Sequence, residues 1–140
     1  MSAVIDSSVL VAALIDAGPL GDWALDVLAA GGLCAPELIL VEATNVLRRL
    51  ERSKAITNLE AEAAHHDLMD LGILLFDFRP FADRIWELRH NVTSYDAWYI
   101  AIAEALDLPL ATLDEKLSKA STTACKFLTP AGSGPSQYLR

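Results

Sequence analysis

The chain reads as an α/β domain with a parallel sheet covered by helices on both faces, and three observations predict it. Short apolar runs alternate with longer stretches of helical period. Gly and Pro stand at many of the junctions between them. At 140 residues and 53% hydrophobic, the chain suits one compact domain, large enough to bury roughly two thirds of the surface its unfolded form would expose.

The elements follow in order. "SAVID" is a short strand, and "SSVLVAALIDAG" a helix stopped by Gly18 and Pro19. "PLGDWALDVLAAGG" gives a second helix closed by Gly31 and Gly32, and "LCAP" a brief strand. "ELILVEATNVLRRLERSKA" carries helical periodicity. "TNLEAEAAHHDLMDLG" opens on a Thr57 to Glu60 capping box and ends at Gly72. "ILLFDF" predicts a buried strand and "PFADRIWELRHN" a helix starting at Pro80. The helix "SYDAWYIAIAEAL", the strand "LPLATL", a short helix from Asp114 and a last strand near "ACKFL" complete the fold. Residues 1–130 form the domain, and 131–140, from "AGSGPSQYLR", a loose tail.

Composition excludes several classes. No apolar run approaches the roughly twenty residues a membrane span needs. "MSAVIDSSVL" lacks the basic region and cleavage site of a secretory signal, so a cytoplasmic protein is expected. Cys34 and Cys125 lack metal-ligand spacing and are expected to be buried packing thiols. A net charge of −8 argues against a phosphate-backbone partner, unless carboxylates hold divalent cations that become the largest local positive charges.

Four acids are placed to do that. Asp6 and Asp114 each follow a strand, at the edge where open parallel sheets bind ligands. Asp96 lies in the first turn of a helix. Glu42 interrupts the apolar run "LILVEATNVL", where a carboxylate is costly unless paired or metal-bound.

"VIDSSVLVAAL", "APELILVEATNVLRRL", "TSYDAWYIAIAEALDLPLATLDEKL" and "KFL", in this order, resemble the PIN-domain ribonucleases, most closely the VapC toxins of bacterial toxin–antitoxin pairs. The resemblance implies a three-layer α/β/α sandwich with a short parallel central sheet. It implies Mg²⁺ or Mn²⁺ held by Asp6, Glu42, Asp96 and Asp114, with Ser7, Asn45 and Thr112 in support. It implies RNA hydrolysis by metal-activated water and inhibition by a cognate antitoxin, and a homodimer is the expected assembly. Some relatives carry a further acid after the fourth, where this chain offers Glu115 and Lys116.

Structural readings stand beside these. Asp6, Asp96 and Asp114 each suit a helix cap, Asp96 through a Thr93 to Asp96 box. Glu42 has a surface reading with Arg49 as its partner. Arg48, Arg49, Arg52 and Lys54 form either a solvated helix end or a guide for RNA phosphates. Tyr95, Trp98 and Tyr99 are read first as core packing, with base stacking as the functional option. Two competing functions are a phosphoacceptor receiver domain, with Asp77 as acceptor and Lys116 or Lys126 as its partner, and a catalytically silent PIN-like binding module.

Overall fold

A computed structural model describes residues 2–120, 124–131 and 137–139. Five short parallel strands, β1 (Ala3–Ile5), β2 (Leu33–Pro36), β3 (Leu74–Phe76), β4 (Leu110–Ala111) and β5 (Phe127–Leu128), form one sheet in the order β3-β2-β1-β4-β5. The helices are α1 (Ser7–Ile15), α2 (Pro19–Ala29), α3 (Leu38–Arg52), α4 (Asn58–Asp70), α5 (Ala82–Glu87), α6 (Ser94–Leu106) and α7 (Glu115–Ser118). Helix α1 packs against α2, α3 and α4, whereas α6 packs against α5 and lies on β1, β2 and β4. Helices therefore flank the central sheet in the expected α/β arrangement.

Burial explains the layering. β1 is shut from solvent along its length, and α1 is buried from Ser7 to Ala13 with no polar face, so it is a core helix. No single helix among the described residues is long and apolar enough to cross a membrane. Helix α3 is instead two-faced: Ile39, Ala43, Val46, Leu47 and Leu50 recur at helical spacing and face inward. Arg49 and Arg52 occupy its last turn, where they complement the dipole. The Thr57 to Glu60 capping box opens α4 as expected, each residue bonding the other's amide. The turn between α1 and α2 requires Gly21, because a Cβ there would lie 1.8 Å from the Asp16 carbonyl oxygen.

Two expectations fail. The "ILLF" strand is an edge strand, with Leu74 60% exposed and Leu75 and Phe76 half-buried. An apolar run records strand character but not whether another strand covers its outer side. The helix from Pro80 is shorter than its sequence: a 3-10 turn (Arg79–Phe81) precedes α5, and tight turns consume Leu88 to Asn91. Only Ile85 and Leu88 are buried there while Trp86 faces out, too narrow a stripe to anchor more turns.

Sheet order also decides against the receiver reading. Receivers have the order 2-1-3-4-5, with β3 inside the sheet. Here β3 is an edge, and Asp77 beyond it is exposed.

Much of the segment expected as a tail lies outside the described residues. Within the described part, Tyr138 is buried and its hydroxyl donates to Asp16 Oδ2 at 2.7 Å. Burial first, then this bond, push the phenol up to about 12. Arg49 Nη2 donates to the carbonyls of Gln137 and Leu139 at 3.2 and 2.6 Å. A bidentate ion pair, Arg84 to Glu104, ties α5 to α6, and Glu104 also accepts the Ala124 amide just before β5.

Candidate active site

The strand order reverses between β1 and β4, and in open parallel sheets the crevice beyond the carboxyl ends at such a point receives ligands. Asp6 stands at the end of β1 and Thr112 at the end of β4. Asp6 is 3% exposed, and its carboxylate is held from both sides. Oδ1 accepts the Ser8 hydroxyl at 2.5 Å and the Val9 amide at 3.1 Å, while Oδ2 accepts the Thr112 hydroxyl. Thr112 Oγ1 in turn accepts the Asp114 amide at 2.9 Å, and Ser8 Oγ accepts the Leu113 amide at 3.1 Å. Two strand-to-helix junctions more than a hundred residues apart are thereby laced together around one carboxylate. Asp114 closes the far side by capping α7, with Oδ1 accepting from the Lys116 and Leu117 amides.

The other two acids arrive on helices. Glu42, in the second turn of α3, is half-buried, and its Oε1 accepts the Tyr99 hydroxyl at 2.6 Å. Tyr99 belongs to α6 and is fully buried. Burial, then the Glu42 charge and hydrogen bond, then the Asp6 charge, hold this phenol well above its ordinary range. The Tyr99 hydroxyl is therefore within electrostatic reach of two of the four acids. Asp96 stands three residues before Tyr99 on α6, on the same helical face. Its Oδ1 is enclosed by the protein, while the Thr93 hydroxyl accepts its amide at 3.2 Å. Asp96 thus occupies a capped first turn and also turns its carboxylate inward.

The supporting residues divide. Thr112 is bound to Asp6, and it is Ser8, which the sequence did not single out, that holds the other oxygen. Ser7 Oγ is buried and makes no hydrogen bond among the described residues. Asn45 is exposed and lines an apolar groove with Leu40, Val41 and Met69. Arg48 lines the same groove, Arg52 is exposed, and Arg49 is engaged with the tail carbonyls, so Tyr99 fills the role proposed for Arg49 as the partner of Glu42. Among the three aromatics only Tyr99 is core; Tyr95 is 60% exposed and Trp98 half-buried, edge-on to Phe78. A helical period cannot show that a buried phenol ends on a carboxylate from another helix. Glu115 is exposed on α7.

Among the described residues no three acidic, histidine or cysteine side chains stand together as a ready ion cage. Neutral hydroxyls instead stand against two of the acids: Thr112 links Asp6 to the Asp114 amide, and Tyr99 donates to Glu42. The donor set is all oxygen, which fits a hard divalent cation that keeps several waters and takes only a few carboxylates.

The sequence profile of the PIN domain matches residues 3–122. Ribonuclease VapC1 of Mycobacterium tuberculosis is 37% identical over 128 residues, which cover 89% of this chain and 94% of that protein. VapC ribonuclease Mb0985 of Mycobacterium bovis is 34% identical over 122 residues, 87% and 93% of the two chains. In fold, the chain is similar to PAE2754 from Pyrobaculum aerophilum, with a TM-score of 0.69 at 20% identity, covering 91% of this chain and 83% of that one. It is also similar to Mycobacterium tuberculosis VapC20, described as a Sarcin-Ricin loop cleaving toxin, with a TM-score of 0.61 at 17% identity, covering 86% and 95%. Matched along most of its length in sequence and in fold, the chain belongs to the PIN-domain family, among the VapC ribonucleases.

Proposed function

We propose that the chain is the endoribonuclease toxin of a toxin–antitoxin pair, dependent on a divalent metal, with Asp6, Glu42, Asp96 and Asp114 as the residues that hold it. The observation that carries the assignment of Asp6 is its buried carboxylate at the β1–β4 switch point, laced by Ser8 and Thr112 to the β4–α7 junction. Mg²⁺ or Mn²⁺ is the ion the oxygen donors suit. When bound, it supplies a water of lowered pKa and positive charge for the phosphate oxygens. The chain's own part is to hold the carboxylates before substrate arrives. Ser8, Thr112 and the Val9 amide fix Asp6, and the α7 amides fix one oxygen of Asp114. No side-chain nucleophile takes part, and with two ions bound the products would carry a 5'-phosphate and a 3'-hydroxyl. Arg48 and Arg52, exposed on α3, supply positive charge for the RNA backbone.

The cognate antitoxin covers apolar surface near the site. The groove between α3 and α4, about 450 Å³ and lined by Leu40, Val41, Asn45 and Met69, supports this, with Val41 66% exposed. The protein acts in the cytoplasm as a homodimer.

The test is cleavage of a labelled RNA panel with Mg²⁺, Mn²⁺ or excess EDTA, using wild type, Asp6→Asn and Ser7→Ala. Cleavage only with metal, lost in Asp6→Asn and largely kept in Ser7→Ala, is expected. Full activity in EDTA, or equal loss in both variants, refutes the mechanism.

A further inference from the structure

We propose that Tyr99 is a positioning residue for the metal site: its buried hydroxyl fixes one oxygen of Glu42 and so presents the other to the ion. This rests on the assignment of Glu42 as a ligand.

Glu42 reaches the site on a flexible side chain from the second turn of α3, and its residue is only half-buried. Left to itself, such a side chain samples many rotamers, and binding an ion would have to order it. Asp6 and Asp114 escape that cost because each is anchored to the amides of the helix it caps. Glu42 lies inside α3 and not at its start, so it does not cap that helix. A bond from another element holds it. Tyr99 has no solvent exposure and its ring is locked in the core, so its hydroxyl is a fixed donor, 2.6 Å from Glu42 Oε1. A phenol donating to a carboxylate does for Glu42 what Ser8 and Thr112 do for Asp6: it orients the group without neutralising it. A lysine or arginine at position 99 would cancel the charge that an ion needs. A phenylalanine would keep the packing and lose only the orientation.

The experiment compares Tyr99→Phe, Glu42→Gln and the double variant with wild type, reading Mn²⁺ affinity by electron paramagnetic resonance and stability by melting in EDTA. Loss of an outer-sphere partner typically weakens metal binding about 10- to 100-fold, so Tyr99→Phe is expected to raise the Mn²⁺ Kd by at least about tenfold while its melting in EDTA moves far less. In the Glu42→Gln background the same change should add little, because the oxygen it orients no longer carries the charge. Tyr99→Phe with an unchanged Kd, beside a Glu42→Gln variant that binds Mn²⁺ poorly, overturns the proposal and leaves the site assignment standing. Glu42→Gln with wild-type Mn²⁺ binding overturns the assignment itself, and the proposal with it. Additive losses in the double variant also overturn the proposal, since they make Tyr99 act on something other than Glu42.

Discussion

Thr112→Val removes one oxygen from the centre of the site and leaves the side chain's shape nearly intact. Thr112 has no solvent exposure, and its hydroxyl makes two bonds: it donates to Asp6 Oδ2 and accepts the Asp114 amide at 2.9 Å. A hydrogen bond to a charged group contributes about 1.5–3 kcal/mol and a neutral one about 0.5–1.5 kcal/mol. The first is the larger, because Asp6 is buried and relies on such donors. The two together predict a loss of about 2–4.5 kcal/mol, still short of the whole stability of an ordinary domain. Urea unfolding at pH 7 in EDTA, with equal m-values for wild type and variant, measures it. Thr112→Ser is the control: it keeps both bonds, loses one buried methyl, and should cost about 1 kcal/mol. A Val variant within 1 kcal/mol of wild type, or a Ser variant that loses more than Val, would show that packing and not the Asp6 bond holds this junction.

Asp96→Asn should melt no lower than wild type in EDTA, because relief of like-charge repulsion outweighs a small helix-end contribution, and it should lose RNA cleavage and most of the Mg²⁺-induced rise in melting temperature. A variant that melts lower yet keeps the Mg²⁺ response would make Asp96 a helix-end residue only. Glu104→Gln should flatten the acid limb of stability: the Arg84 hydrogen bond holds the Glu104 carboxyl below its ordinary 4.5, so its contribution is present above pH 4.5 and lost as pH falls through the lowered value. Urea midpoints from pH 3 to 7 check this, and an unchanged acid slope refutes it. Tyr138→Ala should cost about 3 kcal/mol through lost packing and the lost Asp16 bond, with cleavage per folded molecule unchanged. A change under 0.5 kcal/mol would mean the docked segment contributes nothing to the fold.

Much of this was legible in the chain, for identifiable reasons. "LCAP" and "SYDAWYIAIAEAL" match β2 and α6 residue for residue, since Gly32 and Pro36 bound the first and Thr93 caps the second. The alternation of elements implies a parallel sheet, but it does not say which strand lies outside, so the edge position of β3 is not legible in it. At the site the sequence points to Thr112 but not to Ser8, and it reads Tyr99 as core packing and not as a partner of Glu42. Ser7 follows Asp6 directly, yet the α1 turn carries Ser8 back onto the carboxylate. Tyr99 lies 57 residues from Glu42, and only the folded chain brings the two together.

Helix capping is observed at Asp6, on α1, and at Asp114, on α7, and Asp96 lies in the capped first turn of α6; capping does not exclude the ion-holding role proposed for the same residues. Several carboxylates at one sheet edge repel one another, and each needs a compensating field before any ion arrives. Helix N-termini supply it, through amides that point outward and a dipole whose positive end faces the acid. In a parallel sheet the strand-to-helix turns bring such ends to one edge, so on the proposed assignment the helix ends that place the acids would also steady them. Under the proposed assignment, capping would let negative charge stand there without buried Lys or Arg, whose charge would compete with a divalent ion. The net charge of −8, which by itself argues against a phosphate substrate, becomes compatible with one where that ion stands between carboxylate and phosphate.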